Sequence, residues 1–307
     1  MTSSGATEKP VTPKLLLSYQ PDRDNLFYAS ASKGFRPGGP NVGVGSICAP
    51  SLTALGISQV PNQFASDSLW SYELGSKNTF LDHKLQVNAS LFYVDWKNIQ
   101  QNVYLPSCGE QFTANLGKVE SVGGDLNVLY RPVESVLLDF TVAYTDAKYT
   151  NSSCAGSLTF NGTSCAGTVD GNPVSTAPIT SKGDRLPGAP WTVMAAVEYS
   201  FGEWSGRKPY ARLDYQHGAQ QKGLISNSND QNALFDTTVP QLPVTNNLNL
   251  RAGLRFNGFD LSLFAQNLTN AHPILFRSRD IAWSGDNLYF ERGVRPRTFG
   301  VTATYKY

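Results

Sequence analysis

The stretch Leu248-Asn-Leu-Arg-Ala-Gly-Leu-Arg-Phe256 alternates apolar residues with polar or small ones. Successive side chains of a β-strand point to opposite faces, so this period of two predicts a strand with one apolar and one polar face. Arg251 and Arg255 share the polar face, and two guanidinium groups are not buried in a dry core without partners. We therefore expect this face to contact water.

The same alternation recurs along the rest of the chain. It predicts eleven strands, each about 8–12 residues long. They centre on residues 15–20, 26–33, 70–74, 85–93, 126–130, 136–144, 193–201, 211–215, 248–256, 261–265 and 298–307. The chain is therefore expected to be all-β.

Short and long links alternate between these strands. The short ones are 21–25, 81–84, 131–135, 202–208 and 257–260, and the long ones are 36–68, 97–117, 150–189, 221–245 and 271–294. Short periplasmic turns, long outer loops and aromatic residues at the strand ends are typical of an antiparallel transmembrane β-barrel. The alternative is a soluble antiparallel sheet with one wet face.

Composition excludes other classes. The 307 residues carry 25 Lys+Arg and 24 Asp+Glu, and a net charge of +1 gives no bulk field that recruits nucleic acid or anionic lipid. The longest apolar run, 193–197, is far shorter than the roughly 18 residues of a membrane helix. Residues 1–10 lack a basic region followed by an apolar one, so we expect no signal peptide here.

No arrangement of residues indicates catalysis, which predicts a protein that is not an enzyme and has no cofactor or bound metal. His83, His217 and His272 are scattered and lack metal-ligand spacing. The stretch 43–48, Gly-Val-Gly-Ser-Ile-Cys, begins like a dinucleotide-binding loop but lacks the third glycine and the strand–helix context.

The cysteines Cys48, Cys108, Cys154 and Cys165 all fall in long links. None belongs to a Cys-X-X-Cys motif, so a zinc or redox motif is not predicted. Cys154 and Cys165 share one link and predict a local disulfide, and Cys48 and Cys108 would then join neighbouring links in an oxidising compartment. The alternative is independent free thiols.

Several stretches, in the same order, resemble the C-terminal part of TonB-dependent outer-membrane receptors. The clearest is Leu69-Trp-Ser-Tyr-Glu-Leu-Gly-Ser-Lys77 followed by Leu85-Gln-Val-Asn-Ala-Ser-Leu-Phe-Tyr-Val-Asp-Trp-Lys-Asn-Ile-Gln100, which is similar to the family's "YE-G-K … N-A-FY-D-K-IQ" strand pair. The others are Ser30-Ala-Ser-Lys-Gly-Phe-Arg-Pro37, Asn115-Leu-Gly-Lys118, Gly124-Asp-Leu-Asn-Val128, Phe264-Ala-Gln-Asn-Leu-Thr-Asn270 and Pro296-Arg-Thr-Phe-Gly-Val-Thr-Ala-Thr-Tyr-Lys-Tyr307. The resemblance extends over residues 13–307.

The resemblance implies a 22-stranded barrel, an N-terminal plug domain and a segment that binds TonB. With about eleven strands and no plug, the chain is expected to be a C-terminal half of the barrel, residues 14–307, with residues 1–13 left from an outer loop. We expect an open meander whose edges, 15–20 and 298–307, do not pair with each other.

The resemblance further implies a Gram-negative outer membrane and energised uptake of a scarce nutrient such as a ferric siderophore or cobalamin. The implied partners are outer-membrane lipid, the TonB complex through the missing N-terminal region, the barrel-assembly machinery and a chelated-iron or similar ligand. Two alternatives stay open. One is a small self-contained porin or adhesin-type barrel, and the other is a soluble carbohydrate-binding β-protein.

Guanidinium forks and aromatic faces in the outer loops could bind an anionic chelate. The candidates are Arg36, Arg277, Arg279, Trp283, Tyr289 and Arg292, each of which could instead be solvated loop or girdle. A second set of arginines would line the lumen and pair with acidic groups of a plug, namely Arg212, Arg251, Arg255 and Arg297.

The last strand resembles the signal that the barrel-assembly machinery reads. Gly300, Tyr305 and the terminal Tyr307 supply its glycine and alternating aromatic positions. The glycine lies two residues further from the end than in the usual pattern. The alternative is that Tyr307 is one more girdle residue.

Overall fold

The computed structural model describes residues 8–221, 229–238, 241–281 and 286–306. The strands formed by these residues are β1 Lys14–Tyr19, β2 Asn25–Arg36, β3 Gly39–Pro40, β4 Gln63–Phe64, β5 Asp67–Phe80, β6 Leu85–Lys97, β7 Gln100–Tyr104, β8 Gln111–Asn115, β9 Lys118–Tyr130, β10 Val136–Tyr149, β11 Thr159–Phe160, β12 Cys165–Val169, β13 Asn172–Thr176, β14 Trp191–Ser200, β15 Lys208–Gly218, β16 Thr245–Phe256, β17 Phe259–Gln266, β18 Ile274–Ile281, β19 Asn287–Gly293 and β20 Thr298–Tyr305. One turn of 3₁₀-helix, Ser46–Cys48, leads into the short helix α1, Ala49–Ala54. Among these residues no helix is long and apolar enough to span a membrane.

Eleven of the described strands form one sheet, in the order β1-β2-β5-β6-β9-β10-β14-β15-β16-β17-β20. Every neighbouring pair is antiparallel, and the order follows the chain, as the predicted meander requires. Within the described ranges, the edge strands β1 and β20 do not pair with each other. The all-β fold and the open sheet therefore agree with the sequence prediction.

Several strands are longer than predicted because glycines interrupt the alternation that marks them. The predicted strand 70–74 extends to the 14 residues of β5, and 126–130 extends to the 13 residues of β9. Gly75, Gly123 and Gly124 lie inside these two strands and pair normally. Without a side chain, a glycine carries neither an apolar nor a polar signal, although its backbone continues the sheet.

The register gives the sheet one apolar and one polar face. Leu213, Leu250, Ala265 and Phe299 lie side by side in one row across four strands. The adjacent row points to the other face and contains Arg212, Arg251, Phe264 and Gly300. The large side chains of this apolar row are well exposed, with Phe299 at 70% and Leu250 at 40%, whereas the small Ala265 is buried between its neighbours. Exposed apolar rows of this extent are expected where a sheet contacts lipid.

Aromatic rings border the apolar face at both ends. At the long-link end they are Trp70, Tyr72, Tyr93, Tyr144 and Trp191. At the short-turn end they include Tyr130, Tyr199, Phe201, Phe259 and Tyr305. Neighbouring rings contact each other, with centroids 4.5 Å apart for Tyr144 and Trp191 and 4.6 Å for Phe259 and Tyr305. Two such rows match the aromatic girdles of a membrane barrel.

The largest buried apolar cluster lies in the long links rather than in the sheet. Four segments contribute to it, and we call residues 37–66, 98–117, 150–190 and 229–238 the headpiece. Its fully buried side chains include Leu55, Ile99, Leu105, Leu116 and Ile179. Short strands also form here, in the pairs β3–β4 and β7–β8 and the three-stranded sheet β11–β12–β13. The sequence did not predict them, because strands of two to five residues show too little alternation to be recognised.

Candidate lumen wall and loop headpiece

A charged cluster lies on the polar face and is centred on Arg212 of β15. Its Nε donates to Asp214 at 2.8 Å, and its terminal nitrogens lie 3.9 Å from Asp139 and 4.0 Å from Glu198. All four side chains are partly exposed, so each pair stabilises the wall only modestly. Arg212 lies on the predicted face, and carboxylates of the wall itself hold it.

Arg255 extends the same cluster toward the short-turn end. It lies 2.9 Å from Glu198 and 3.2 Å from Asp260, and its guanidinium stacks 3.9 Å above the ring of Tyr210. The Tyr210 hydroxyl donates to Asp260 at 2.9 Å, and its side chain is buried. These contacts join the four neighbouring strands β14, β15, β16 and β17 on the polar face.

The two other predicted lumen arginines differ in position. Arg251 lies on the polar face and donates to the Ser262 hydroxyl at 3.2 Å. Arg297 precedes β20 and donates to the Leu268 carbonyl at 3.3 Å, while its backbone N–H binds Asn270 at 3.0 Å. The structure therefore places Arg297 on the turn after β17, at the rim, and not on the wall.

Neutral and acidic side chains bridge the rest of the polar face. The contacts are Tyr28 to Glu73, Ser90 to Asp125, and Asn127 to both Asn88 and Thr141, at 2.5–3.4 Å. Such contacts join β2 to β5, and together with the arginine cluster they connect the strands from β6 to β17. Such a face is costly in a dry core and is expected for the wall of a water-filled lumen.

Aromatic rings on the polar face lie on glycines of the next strand. Tyr28 covers Gly75, Phe92 covers Gly123, Tyr210 covers Gly253 and Phe264 covers Gly300. A Cβ added at any of these glycines would overlap the ring. The sequence prediction assigned Gly300 to an assembly signal and missed this packing. The available signal was a glycine facing an aromatic residue on the polar side of the neighbouring strand.

Two disulfides cross-link the headpiece, and they join the cysteines that the sequence paired. Cys48–Cys108 spans 60 residues and links two segments, whereas Cys154–Cys165 spans 11 residues within one segment. The loop-closure entropy removed from the unfolded chain corresponds to about 4 kcal/mol for the longer span and about 3 kcal/mol for the shorter. Residues 8–221 and the other described ranges contain no free cysteine.

Side-chain amides join two headpiece segments where strand pairing is absent. The Gln100 side chain donates to the carbonyls of Pro37 and Ala65 at 2.9 Å each. Asn41 donates to the Thr113 carbonyl at 2.8 Å and accepts its N–H at 2.9 Å. The amides thus satisfy backbone groups that the short strands leave unpaired.

Arg279 ties the hairpin β18–β19 to the headpiece. Its guanidinium lies 3.3 Å from Asp236 and donates to the Pro106 carbonyl at 2.5 Å. Its own carbonyl accepts the Tyr104 hydroxyl. The side chains of Arg279 and Asp236 are only 12% and 5% exposed. Arg279 was predicted as a ligand contact, but the structure places it in a buried junction of three links.

The other candidates on this hairpin are more accessible. Arg277 forms an ion pair with Glu291 at 2.5 Å and lies 5.1 Å from the ring of Tyr289. These side chains share the face that carries Arg279, as the pairing of β18 with β19 requires. Arg292 lies on the opposite face and stacks on Phe276 at 4.9 Å. The structure therefore brings Arg277 and Tyr289 together and separates Arg292 from them.

Arg36 is the last residue of β2. It forms an ion pair with Asp67 and stacks 4.8 Å from the ring of Trp96. Trp283 and Tyr307 lie outside the described residues, so the predictions for them stay predictions.

Within the described ranges, no three His, Cys, Asp or Glu side chains converge as metal ligands would. His83 lies 3.5 Å from Asp24, and His217 contacts Asn246 at 2.9 Å.

Comparison with known proteins assigns the fold. The sequence model of the family described as "TonB dependent receptor-like, beta-barrel" matches residues 2–270. The metal-pseudopaline receptor CntO of Pseudomonas aeruginosa is 29% identical over 149 residues, which are 48% of this chain and 18% of that receptor.

Solved structures of the same architecture align with nearly the whole chain. The ferric yersiniabactin uptake receptor FyuA from Yersinia pestis is 16% identical with a TM-score of 0.62, over 95% of this chain and 36% of that one. The copper transporter OprC is 15% identical with a TM-score of 0.62, over 95% of this chain and 38% of that one. The ferric preacinetobactin receptor BauA from Acinetobacter baumannii is 15% identical with a TM-score of 0.57, over 96% of this chain and 36% of that one.

At these identities, the structural likeness shows the fold alone, and the chain spans well under half the length of these relatives. The family match, in contrast, covers most of the chain. The chain therefore belongs to the TonB-dependent receptor family, and its eleven-stranded sheet is a portion of that family's β-barrel.

Proposed function

We propose that the chain is part of an outer-membrane receptor that takes up a chelated metal, such as a ferric siderophore, with energy supplied through TonB. The observation that carries the proposal is the two-faced sheet. Its polar face is bridged by charged side chains and its apolar face is bordered by aromatic rows, while a cross-linked headpiece occupies the long-link end. In a barrel, these become a wet lumen, a lipid contact and an outer cap.

The names of the relatives support a metal chelate as the transported class. They include receptors for metal-pseudopaline, ferric yersiniabactin and ferric preacinetobactin. The TonB contact and the plug would belong to the parts of these proteins that this chain does not match, and the barrel-assembly machinery would insert the strands. The whole receptor's activity and partners are thus proposals for this chain.

Within the hairpin β18–β19, we assign ligand contact to Arg277 and Tyr289. The Arg277 side chain is 27% exposed and the Tyr289 residue 43% exposed, whereas the Arg279 side chain is 12% exposed and already bound to Asp236. A guanidinium beside an aromatic ring suits an anionic, planar chelate.

The test is uptake of radiolabelled ferric and copper chelates by cells that carry the gene, by a deletion strain and by cells treated with an uncoupler. We expect accumulation of one chelate class that requires both the gene and the proton gradient. If the deletion instead reduced passive entry of small uncharged solutes and left chelate uptake intact, the porin alternative would replace this proposal.

A further inference from the structure

Three lysines surround a cavity on the apolar face of the sheet, beyond the aromatic row of the long-link end. Lys9, Lys33 and Lys97 line this cavity of about 410 Å³, together with Phe35 and Ser68. The register puts Lys33 beside Trp70, and Lys97 beside Ser68, so both lysines project from the face that carries the girdle. Nothing in the uptake proposal uses these groups.

The cavity carries a net positive charge. Asp67 also lines it, but the Asp67 side chain is 1% exposed, pairs with Arg36 and accepts the Gln100 N–H at 2.9 Å. Asp95, in the next strand beyond Trp70, and its neighbour Glu120 share Lys118, at 3.2 Å and 2.7 Å, and neither lines the cavity. Glu8 lines the neighbouring cavity. Among the residues that line the cavity, three lysines thus face one carboxylate, Asp67, whose charge Arg36 balances, and this favours an anionic occupant.

An apolar groove of about 860 Å³ lies on the same face, nearer the middle of the sheet. Small residues form its floor, because Ser76, Ala89 and Gly124 lie between larger neighbours such as Leu91 and Trp191. A chain of methylene groups fits a trough of this composition.

The cavity and the groove are aligned along the strands. In β5, Trp70 lies beside Lys33 and Leu74 lines the groove, four residues further on. At about 3.3 Å per residue, the separation is about 13 Å. The stacked rings of Trp70 and Tyr72, 6.0 Å apart, lie between them at the level where headgroups meet acyl chains.

We propose that this face binds a phosphorylated lipid of the outer leaflet, with its phosphate held by Lys9, Lys33 and Lys97 and one acyl chain in the groove. The groove is the reason to assign a lipid rather than free phosphate, because a phosphate alone would leave it without a role. This lipid contact is independent of the transported substrate.

The test uses native mass spectrometry of the outer-membrane receptor of which this sequence is part, purified in nonionic detergent, with lipid A, a diphosphorylated acylated disaccharide, as the probe. The double variant Lys33→Gln/Lys97→Gln should lower the lipid-bound fraction at least fivefold, while Lys33→Arg/Lys97→Arg should retain binding. Ala89→Phe should lower it by filling the groove. The matched controls, Arg207→Gln/Lys208→Gln at the other rim and Ala303→Phe on β20, should leave it unchanged. Folded fractions are selected by heat-modifiable migration.

Two results would overturn the proposal. One is equal lipid binding by the Gln double variant and the rim control. The other is displacement of the lipid by inorganic pyrophosphate at the concentration at which lipid A itself competes, which would make free phosphate the ligand. Dephosphorylated lipid A separates the phosphate site from the acyl-chain groove. It should bind more weakly, and its binding should be insensitive to Lys33→Gln/Lys97→Gln but sensitive to Ala89→Phe.

Discussion

Arg277 and Arg279 lie two residues apart on the same face of β18, yet they have different roles. Arg279 is enclosed by Asp236, Pro106 and Tyr104, whereas Arg277 pairs with Glu291 of its own hairpin and is more exposed. Both were equal candidates in the sequence because an arginine in an outer link carries no sign of its surroundings. Arg279 has the structural role because it is buried and is bound by residues of two other links.

Replacing Arg279 by Ala should release the hairpin β18–β19 from the headpiece. The change leaves the Asp236 carboxylate, 5% exposed, without its cation, and breaking such a buried pair costs about 3–5 kcal/mol. Hydrogen exchange should show lost protection in β18, β19 and 229–238. Arg292→Ala serves as the control and should change protection little. Unchanged exchange in Arg279→Ala would contradict the assigned junction.

Tyr149, at the end of β10 where it packs into the buried cluster of the headpiece, and Tyr104 of β7 should respond oppositely to removal of the hydroxyl. The Tyr149 residue is 2% exposed, and among the described residues its hydroxyl has no hydrogen-bond partner, so Tyr149→Phe should stabilise the headpiece by about 1 kcal/mol. Tyr104 donates to the Arg279 carbonyl, so Tyr104→Phe should destabilise it by about 1 kcal/mol. Limited proteolysis of the headpiece in urea measures both. A shift of the same sign in the two variants would refute the assignment.

Burial raises the pKa of Tyr104, with a smaller opposing effect of Arg279. The folded headpiece therefore favours the neutral hydroxyl. The neutral Tyr104 hydroxyl therefore contributes fully to headpiece stability below the ordinary tyrosine pKa of about 10. This contribution is lost as the pH rises through the raised pKa that Tyr104 has in the folded state. Headpiece stability should accordingly decline more steeply above pH 10 in the parent chain than in Tyr104→Phe.

At the scale of elements, the strands are joined on the polar face by rings that lie on glycines. Four such pairs recur, from Tyr28 on Gly75 at one side of the sheet to Phe264 on Gly300 at the other. A ring that covers a glycine restores the packing that the missing side chain would have supplied and fixes the register of the two strands. The glycine of the last strand thus has a packing role besides any role in recognition by the assembly machinery.

Gly300→Val should reduce the yield of folded barrel, because the new side chain overlaps the Phe264 ring. Adding Phe264→Ala should restore part of the yield by making room. Thr302→Val, on the same strand and face, is the matched control. The heat-modifiable fraction in outer membranes is the measurement. A low yield that Phe264→Ala leaves unimproved would favour the predicted assembly signal over packing.

At the scale of the whole molecule, the described residues form one sheet with two free edges and one cross-linked cap. Both β1 and β20 run from the long-link end to the short-turn end, as their registers with β2 and β17 show. Direct pairing of the two edges would therefore be parallel, unlike every other pair in the sheet. Unpaired backbone in lipid costs several kcal/mol per group, so strands that cover these edges must run in the opposite direction.

The edge strands should exchange backbone hydrogens faster than the central ones. In the 307-residue chain folded in detergent, we expect low protection in alternate amides of β1 and β20 and high protection throughout β9 and β10, which are paired on both sides. Mass spectrometry with pepsin digestion resolves these segments. Full protection of β1 and β20 would mean that another chain or copy covers them.

The sequence by itself determined the eleven strands of the sheet, their two faces and the cysteine pairs. Alternation with period two is a local property of the backbone, so residues 248–256 reveal a strand without knowledge of its neighbours. The parts of β5 and β9 that lie beyond Gly75 and Gly123, and the short strands of the long links, were missed because the alternation there is interrupted or too short.

Only the tertiary structure decided which arginines pair within the wall, which one is buried beneath the hairpin and where the headpiece has its core. Asp236 and Arg279 are 43 residues apart and Tyr104 lies 175 residues from Arg279, so no local pattern relates them. Their roles depend on desolvation and on distances between links, and both are set only when the strands fix the positions of the loops that they carry.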